Sequence, residues 1–490
     1  MTASRQDVAT LGSGWNKTLL NYALAMRALD ALPIMDRNSW KFLGAIHGFE
    51  PQTWIDENLI TATEPIPTDW TNDTFGAQCQ HGSWYFLSWH RAYLFAFESI
   101  VAAKVKELTG DDWALPYWNY LNSNNPQARY LPDAFVAKTL PDGSPNPLNK
   151  YPRTPGITEL QPGDGDGFSL DAMDENDFVV GNDGTIGFGG GVMGDFAHFA
   201  RKTGDLESNP HNTVHRLIGG FMADADLAGL DPIFWLHHCN IDRLWEAWMN
   251  TPGKTMVHNP LWSNGPVNRS FIMPAPGDNA PGVTFTSKDT LKGGKYYRPY
   301  DDLITGTGVT PGVHAVARVN MGSPGNQTVL PIGANTSVVK VGGTAVDTHI
   351  DLEPTATAKS VATMGATAPG KEVARLYLSL ESVRGSAPSP LLQVYVNLPE
   401  GADPALNPDR LAGNLTLFGL NVASRQNGPH AGTGLGYTID ITDLAQRLTD
   451  AGDFDLDHLR VTLVPGEQIS DAKPVTVERI SVLKRSGVVS

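Results

Sequence analysis

His211 and His215, in the run Asn-Pro-His-Asn-Thr-Val-His, stand four residues apart. That step brings two imidazoles onto one helix face, close enough to share a metal ion. A pair so spaced is also common as ordinary helix surface or core. His237 and His238 lie inside Asp231-Pro-Ile-Phe-Trp-Leu-His-His-Cys-Asn-Ile-Asp-Arg-Leu-Trp245. Neighbours on a helix differ by about 100°, so only one of these two faces a shared metal well. His81 and His90 frame a third run, His-Gly-Ser-Trp-Tyr-Phe-Leu-Ser-Trp-His-Arg. Their spacing puts them on opposite sides of an ideal helix, so His81 belongs in the preceding loop, bent back toward the metal. Nine of the thirteen histidines precede residue 260, every clustered pair among them, which places the chemistry in the N-terminal half. Sets of neutral imidazoles suit copper, whose affinity for nitrogen sites exceeds that of neighbouring divalent metals. Zinc is the alternative, although its sites usually add a carboxylate or thiolate.

Two helices are expected to position these groups. Phe86, His90, Tyr93, Phe97, Ile100 and Lys104 recur at three- and four-residue steps, as do Phe234, His238, Ile241, Trp245 and Trp248. Histidines that share a face with aromatic residues point into a helical core. Between the helices, residues 122 to 194 are rich in Pro, Gly, Asp and Asn and read as long surface loops. From about Gly306 the chain changes to short β-branched or alternating runs, such as Val313 to Val319, Val373 to Leu380, Leu392 to Leu398 and Leu459 to Val464. The expected fold class is α+β multidomain: a mainly α-helical bundle over residues 1–305, then a β-sandwich-like domain, an antiparallel sandwich or barrel, over 306–490.

The run from Asp231 to Trp245 resembles the copper-B signature of tyrosinases and molluscan haemocyanins, and the run from His81 through Arg91, Leu94 and Glu98 resembles their copper-A signature. Leu115-Pro-Tyr-Trp-Asn-Tyr120 is similar to a segment that follows copper A, with Asn where Asp is common, and Tyr296-Tyr-Arg-Pro-Tyr-Asp301 to the segment that closes the copper domain. The resemblance implies two copper ions held by His47, His81 and His90 on one side and by His211, His215 and His238 on the other. His47 enters because the family's remaining copper-A ligand lies upstream, where no other histidine precedes His81. It further implies oxidation of monophenols and o-diphenols to o-quinones with molecular oxygen. The competing expectations are a catechol or o-aminophenol oxidase without monophenolase activity, and a haemocyanin-like oxygen carrier sharing all six ligands.

Several other residues take roles from the same resemblance. Glu207 and Asn212 match the pair that holds a water for phenol deprotonation; otherwise they are a surface glutamate and a helix-end asparagine. Cys79, two residues before His81, matches the cysteine joined by a thioether to the histidine ring, the alternatives being a free thiol or a disulfide with Cys239. Ala225 falls where the family often places a bulky gate over copper A, with Phe221 and Met222 as substitutes. Asp242, one turn after His238, either fixes groups around the metal or forms a buried ion pair with an arginine. The C-terminal domain is more faintly similar to the one that shields the site in latent polyphenol oxidases. Leu417 or Phe418 is then the inserted side chain, unless both are plain core.

The bulk composition agrees with a small neutral substrate. A formal charge of -16 repels nucleic acid and anionic membranes. The charged N-terminus lacks the apolar run of a signal peptide, and no stretch is long enough to span a bilayer. With only Cys79 and Cys239 present, a reducing, cytoplasmic location is expected.

Overall fold

The computed structural model describes residues 4–68, 70, 74–76, 78–163, 168–180, 187–277, 280–304, 328–365, 368–428, 432–455 and 457–489. The expected strand Val313 to Val319 and the boundary at 305/306 lie outside them. In the N-terminal part the helices are α1 (Lys17–Asp30), α2 (Trp40–His47), α3 (Pro51–Asp56), α4 (Phe86–Thr109), α5 (Thr213–Ile218), α6 (Pro232–Met249) and α7 (Pro260–Asn264), followed by a small hairpin of β1 (Phe271–Met273) and β2 (Val283–Phe285).

Helices α4 and α6 are the two read from sequence, and local chemistry sets their ends. Asp231 caps α6 by accepting from the Ile233 amide, with Pro232 supplying the preset φ of the first turn. Helix α4 stops at Gly110, whose φ of 77° is in the left-handed region that glycine tolerates. The two helices meet through Phe97 and Trp235, whose rings stack with centroids 3.5 Å apart. Behind this seam lies a buried charge cluster. Asp242 accepts from Arg91 Nε at 2.5 Å and Arg5 Nη1 at 3.1 Å, and Arg5 Nη2 reaches Glu98 at 2.8 Å. The Tyr300 hydroxyl also donates to Asp242.

Described residues between 122 and 194 contain only single 3-10 turns, but they are not simple surface. Phe135, Leu148, Phe178 and Phe188 are fully buried, and Phe188 stacks on Trp248 of α6 at 4.5 Å. The region carries its aromatics inward without helical periodicity, which is why it read as exposed loop.

The C-terminal part holds β3 (Thr328–Ala334), β4 (Val339–Val341), β5 (Val346–Leu352), α8 (Pro354–Thr363), β6 (Glu372–Arg384), β7 (Leu391–Val396), β8 (Leu411–Thr416), α9 (Leu420–Ser424), β9 (Leu435–Asp440), α10 (Thr442–Asp450), β10 (His458–Pro465) and β11 (Val475–Val488). Its strands form one antiparallel sheet in the order β8-β7-β10-β5-β3-β11-β6-β9, with β4 also on β11. The end strands approach each other, since Tyr437 of β9 donates to the Thr416 carbonyl of β8 at 3.1 Å. Of the expected sandwich or barrel, the domain takes the barrel-like form, a single curled sheet, and closing one sheet leaves fewer open edges than stacking two. The domain docks on the helices through buried polar contacts. Arg485 Nη2 pairs with Asp177 at 3.0 Å, and Thr203 donates to the Gly436 carbonyl at 2.9 Å.

Candidate metal centre

Five elements deliver the six predicted histidines to one buried volume. His47 ends α2, His81 lies in the loop before α4, His90 is one turn into α4, His211 and His215 straddle the start of α5, and His238 is in the second turn of α6. All are 2 % exposed or less. The loop position of His81 is fixed by its backbone, which donates to the His198 carbonyl and accepts from the Ala200 amide, both at 2.8 Å.

On the first side, His81 Nε2 lies 3.5 Å from His47 Nε2, and the His90 ring sits 5.4 Å from that of His81. On the second, His238 Nε2 is 3.2 Å from His211 Nε2 and 3.3 Å from His215 Nε2. The trios meet where the His90 and His238 rings stack with centroids 4.4 Å apart.

The outward nitrogens explain the inward ones. His47 Nδ1 donates to the Ala225 carbonyl at 2.9 Å, His90 Nδ1 to Phe86 at 2.7 Å and His215 Nδ1 to Met222 at 2.6 Å. His211 Nδ1 meets Asn212 Oδ1 at 2.9 Å, and His81 Nδ1 meets Glu207 Oε1 at 3.0 Å. A proton held on Nδ1 leaves a lone pair on Nε2. Burial pushes the imidazole pKa values down, to about 4 for His47 and about 3 for His211, so the rings are neutral near pH 7. The His47 and His81 Nε2 atoms, each left with a lone pair and 3.5 Å apart, repel unless a cation lies between them. Two all-imidazole trios without a carboxylate at the inner face fit a pair of copper ions.

The remaining predicted residues are placed as follows. The Glu207 carboxyl is buried, accepts from the Gly82 amide at 2.9 and 3.0 Å, and has its pKa raised by burial to about 8. Asn212 uses its oxygen on His211, while its Nδ2 reaches the Thr416 carbonyl of the C-terminal domain at 3.4 Å. Glu207 and Asn212 therefore each hold a different ligand ring, one from each trio. Cys79 is a buried thiol whose sulfur lies 3.4 Å from His90 Nε2 and within 4.8 Å of the His81 ligand nitrogen. Cys239 lies against Leu115 and Tyr300, not against Cys79, so the disulfide alternative falls.

Asp242 is the buried ion pair and not a partner of the metal ligands: both oxygens face Arg91, Arg5 and Tyr300, and His238 Nδ1 has no hydrogen-bond partner among the described residues. On α6 it projects toward the charge cluster, away from the histidines. Ala225 is buried and meets the site through its carbonyl, as Met222 does, while Phe221 stacks on Tyr151 at 5.1 Å.

One residue of the site is missed by sequence reasoning, and for another the structure decides between two readings. His237 was expected to turn away, yet its ligand atom lies within 4.8 Å of those of His211, His215 and His238. Its Nδ1 meets the Tyr120 hydroxyl at 3.0 Å and its buried Nε2 has no hydrogen-bond partner among the described residues. Phe418, open between inserted side chain and plain core, places its ring 4.2 Å from the His215 ring, 5.4 Å from His81 and 5.8 Å from His211. It follows β8 and precedes Gly419, whose φ of 75° turns the chain into α9. Sequence offered no signal for it beyond its likeness to a shielding domain.

Residues 37–251 match the common central domain of tyrosinase, and residues 328–485 match a domain of unknown function. A tyrosinase of Hahella sp. (strain CCB-MM4) is 33% identical over 497 residues, covering 98% of each chain. The chloroplastic (+)-larreatricin hydroxylase of Larrea tridentata is 29% identical over 46% of this chain and 38% of its own length. Among solved structures, a recombinant latent aurone synthase matches with a TM-score of 0.60 at 21% identity, covering 100% of this chain and 90% of its own. Latent apple tyrosinase matches with a TM-score of 0.57 at 20% identity, covering 99% and 98%. At these identities the solved structures speak for the fold.

Proposed function

This chain belongs to the tyrosinase family of type-3 copper oxidases, and from that premise we propose that it hydroxylates monophenols as well as oxidising catechols, and that it is held latent by its own C-terminal domain. Molecular oxygen and a small phenolic compound are the substrates of such an oxidase. The observation that carries the proposal is Phe418, whose ring occupies the space in front of histidines from both trios.

His47, His81 and His90 would hold one copper and His211, His215 and His238 the other. The metal pair supplies oxygen binding and electron transfer. The chain's own residues do the rest. The carbonyls of Ala225, Phe86 and Met222 and the side chains of Asn212 and Glu207 hold five rings in the tautomer that presents Nε2. Apolar walls from Phe86 and Phe234 exclude water around them. A phenol must then lose its proton on approach. Glu207, its carboxyl pKa raised by burial to about 8, and Asn212 supply that step by holding a water. In the closed form the Asn212 amide is directed to Thr416, so withdrawal of the C-terminal domain both opens the pocket and frees this donor. The thioether between Cys79 and His81 belongs to the same proposal, supported by the burial of both groups within one ligand cluster.

Oxygen uptake by copper-loaded protein, with tyrosine and with a catechol, before and after proteolytic removal of the C-terminal domain, tests the reading. Turnover of both substrates that rises on proteolysis supports it. Uptake with catechol alone would leave a catechol oxidase, and reversible oxygen binding without turnover a carrier.

A further inference from the structure

The segment from Met222 to Asp226 alternates its partners. The Met222 carbonyl accepts from His215 and the Ala225 carbonyl from His47, so one short strap orients a ligand in each trio. The close approach at His47 depends on the next residue being Gly48, where a Cβ would lie 2.2 Å from the Ala225 oxygen. The strap's aspartate side chains are taken up elsewhere. Asp224 Oδ2 accepts from Asn421 Nδ2 at 3.2 Å, and Asp226 Oδ2 lies 2.6 Å from Arg425 Nη1 as an ion pair. Asn421 is in α9 and Arg425 directly follows it, so both belong to the domain that carries Phe418. Within the strap, Asp224 Oδ1 accepts from the Asp226 amide at 2.9 Å, and the Asp226 carbonyl accepts from Trp54 Nε1 at 2.9 Å. Backbone bonds of its flanking turns, from the Asp224 amide to Phe221 and from the Leu227 and Ala228 amides to Asp224, hold the strap locally; the side chains of the C-terminal domain and Trp54 add the anchors that tie it to the rest of the molecule.

We propose that Arg425, assisted by Asn421, is a positioning residue for the copper ligands: through Asp226 and Asp224 the C-terminal domain clamps the strap and so holds His47 and His215 at the orientation in which they bind metal. The inference rests on the dicopper reading above and adds a second action to the domain. Phe418 obstructs entry, whereas Arg425 steadies the ligands from behind. The two actions are separable, because Phe418 touches the imidazoles directly while Arg425 reaches them only through backbone carbonyls. Full removal of the domain then opens the site and loosens two of its six ligands together.

The test keeps the full chain and removes the obstruction from both arms. Copper-loaded Phe418→Ala is compared with Phe418→Ala/Arg425→Gln, reading the rate at which a copper chelator strips metal and the copper retained per chain. Loss of a partner that orients a metal-bound histidine costs about 10- to 100-fold in metal affinity; acting here through a carbonyl, the double variant should release copper about tenfold faster. Arg425→Lys in the same background should restore most of the slow rate, since it keeps the charge opposite Asp226. Equal release from the two chains overturns the clamp. Should the glutamine variant fail to fold, Asn421→Ala in the Phe418→Ala background replaces it, and equal rates there overturn the proposal as well. If Phe418→Ala itself takes up no copper, the dicopper reading fails and the clamp with it, an outcome separable from the others because Arg425 is intact in that chain.

Discussion

The Phe418 ring, contributed by the C-terminal domain, lies 4.2 Å from the ring of His215 and is tilted 30° to it. A substrate ring approaching the second trio would need that volume. Phe418→Ala should therefore raise catechol oxidation by the intact chain toward the level reached after proteolysis, measured as oxygen uptake. Truncating a buried phenylalanine also costs about 3–5 kcal/mol, so a lower melting temperature should accompany the gain. Unchanged uptake with a lowered melting temperature would make Phe418 ordinary core.

In the proposed mechanism Glu207 and Asn212 are the groups that separate the two activities. Glu207→Gln and Asn212→Gly should each lower monophenol turnover more than catechol turnover, because a catechol is already hydroxylated. Steady-state rates on a matched phenol and catechol check this. Equal losses would point to the contacts with His81 and His211 as their whole contribution.

Asp242 serves stability. Asp242→Ala leaves Arg5 with Glu98 and Arg91 with Glu246 as their remaining carboxylates, and breaking a buried pair from one side costs about 3–5 kcal/mol, so the loss here should fall toward the lower end. Denaturant unfolding should show that loss, while the variant that still folds keeps its copper stoichiometry.

Mass spectrometry addresses Cys79. A thioether replaces the thiol S–H and a ring C–H with one S–C bond, so the crosslinked peptide should weigh two hydrogens less and contain Cys79 with His81. The sulfur also lies 3.4 Å from His90 Nε2, which makes mapping the modified histidine the decisive step. Two freely alkylated cysteines would exclude the bond.

Arg425 gives a pH-dependent stability. Burial raises the folded pKa of Asp226, Asp224 and Glu50 raise it further, and Arg425 lowers it. A carboxyl raised above its unfolded value of about 3.9 contributes stability that is fully present below that value and is lost as pH rises through the folded one. Arg425→Gln removes the lowering charge, so its folded pKa climbs and the loss becomes larger. The variant's deficit in melting temperature should be small near pH 4.5 and greater at pH 8. A deficit independent of pH would show that Asp226 does not titrate with folding.

Helices α4 and α6 were legible because their aromatic and histidine positions repeat at helical spacing. The C-terminal strands β6, β7 and β10 were legible from alternation. Curling of the sheet was not, since closure depends on how β8 meets β9 and no strand carries that information alone. Asp242 stayed ambiguous for a similar reason. One turn from His238, it could face the metal or the charge cluster, and Arg5 settles the choice from 237 residues away.

By itself the sequence determined the family and singled out the candidate metal ligands, because histidine spacing along a helix is a local property and its signature survives in the order of residues. Tertiary structure alone decided what surrounds those ligands. Phe418 over His215, Arg425 on the strap and His237 beside the second trio all depend on distant segments brought together by packing. Their residue types are ordinary for a core phenylalanine, a surface arginine and a helical histidine, so only their positions in space give them a bearing on copper.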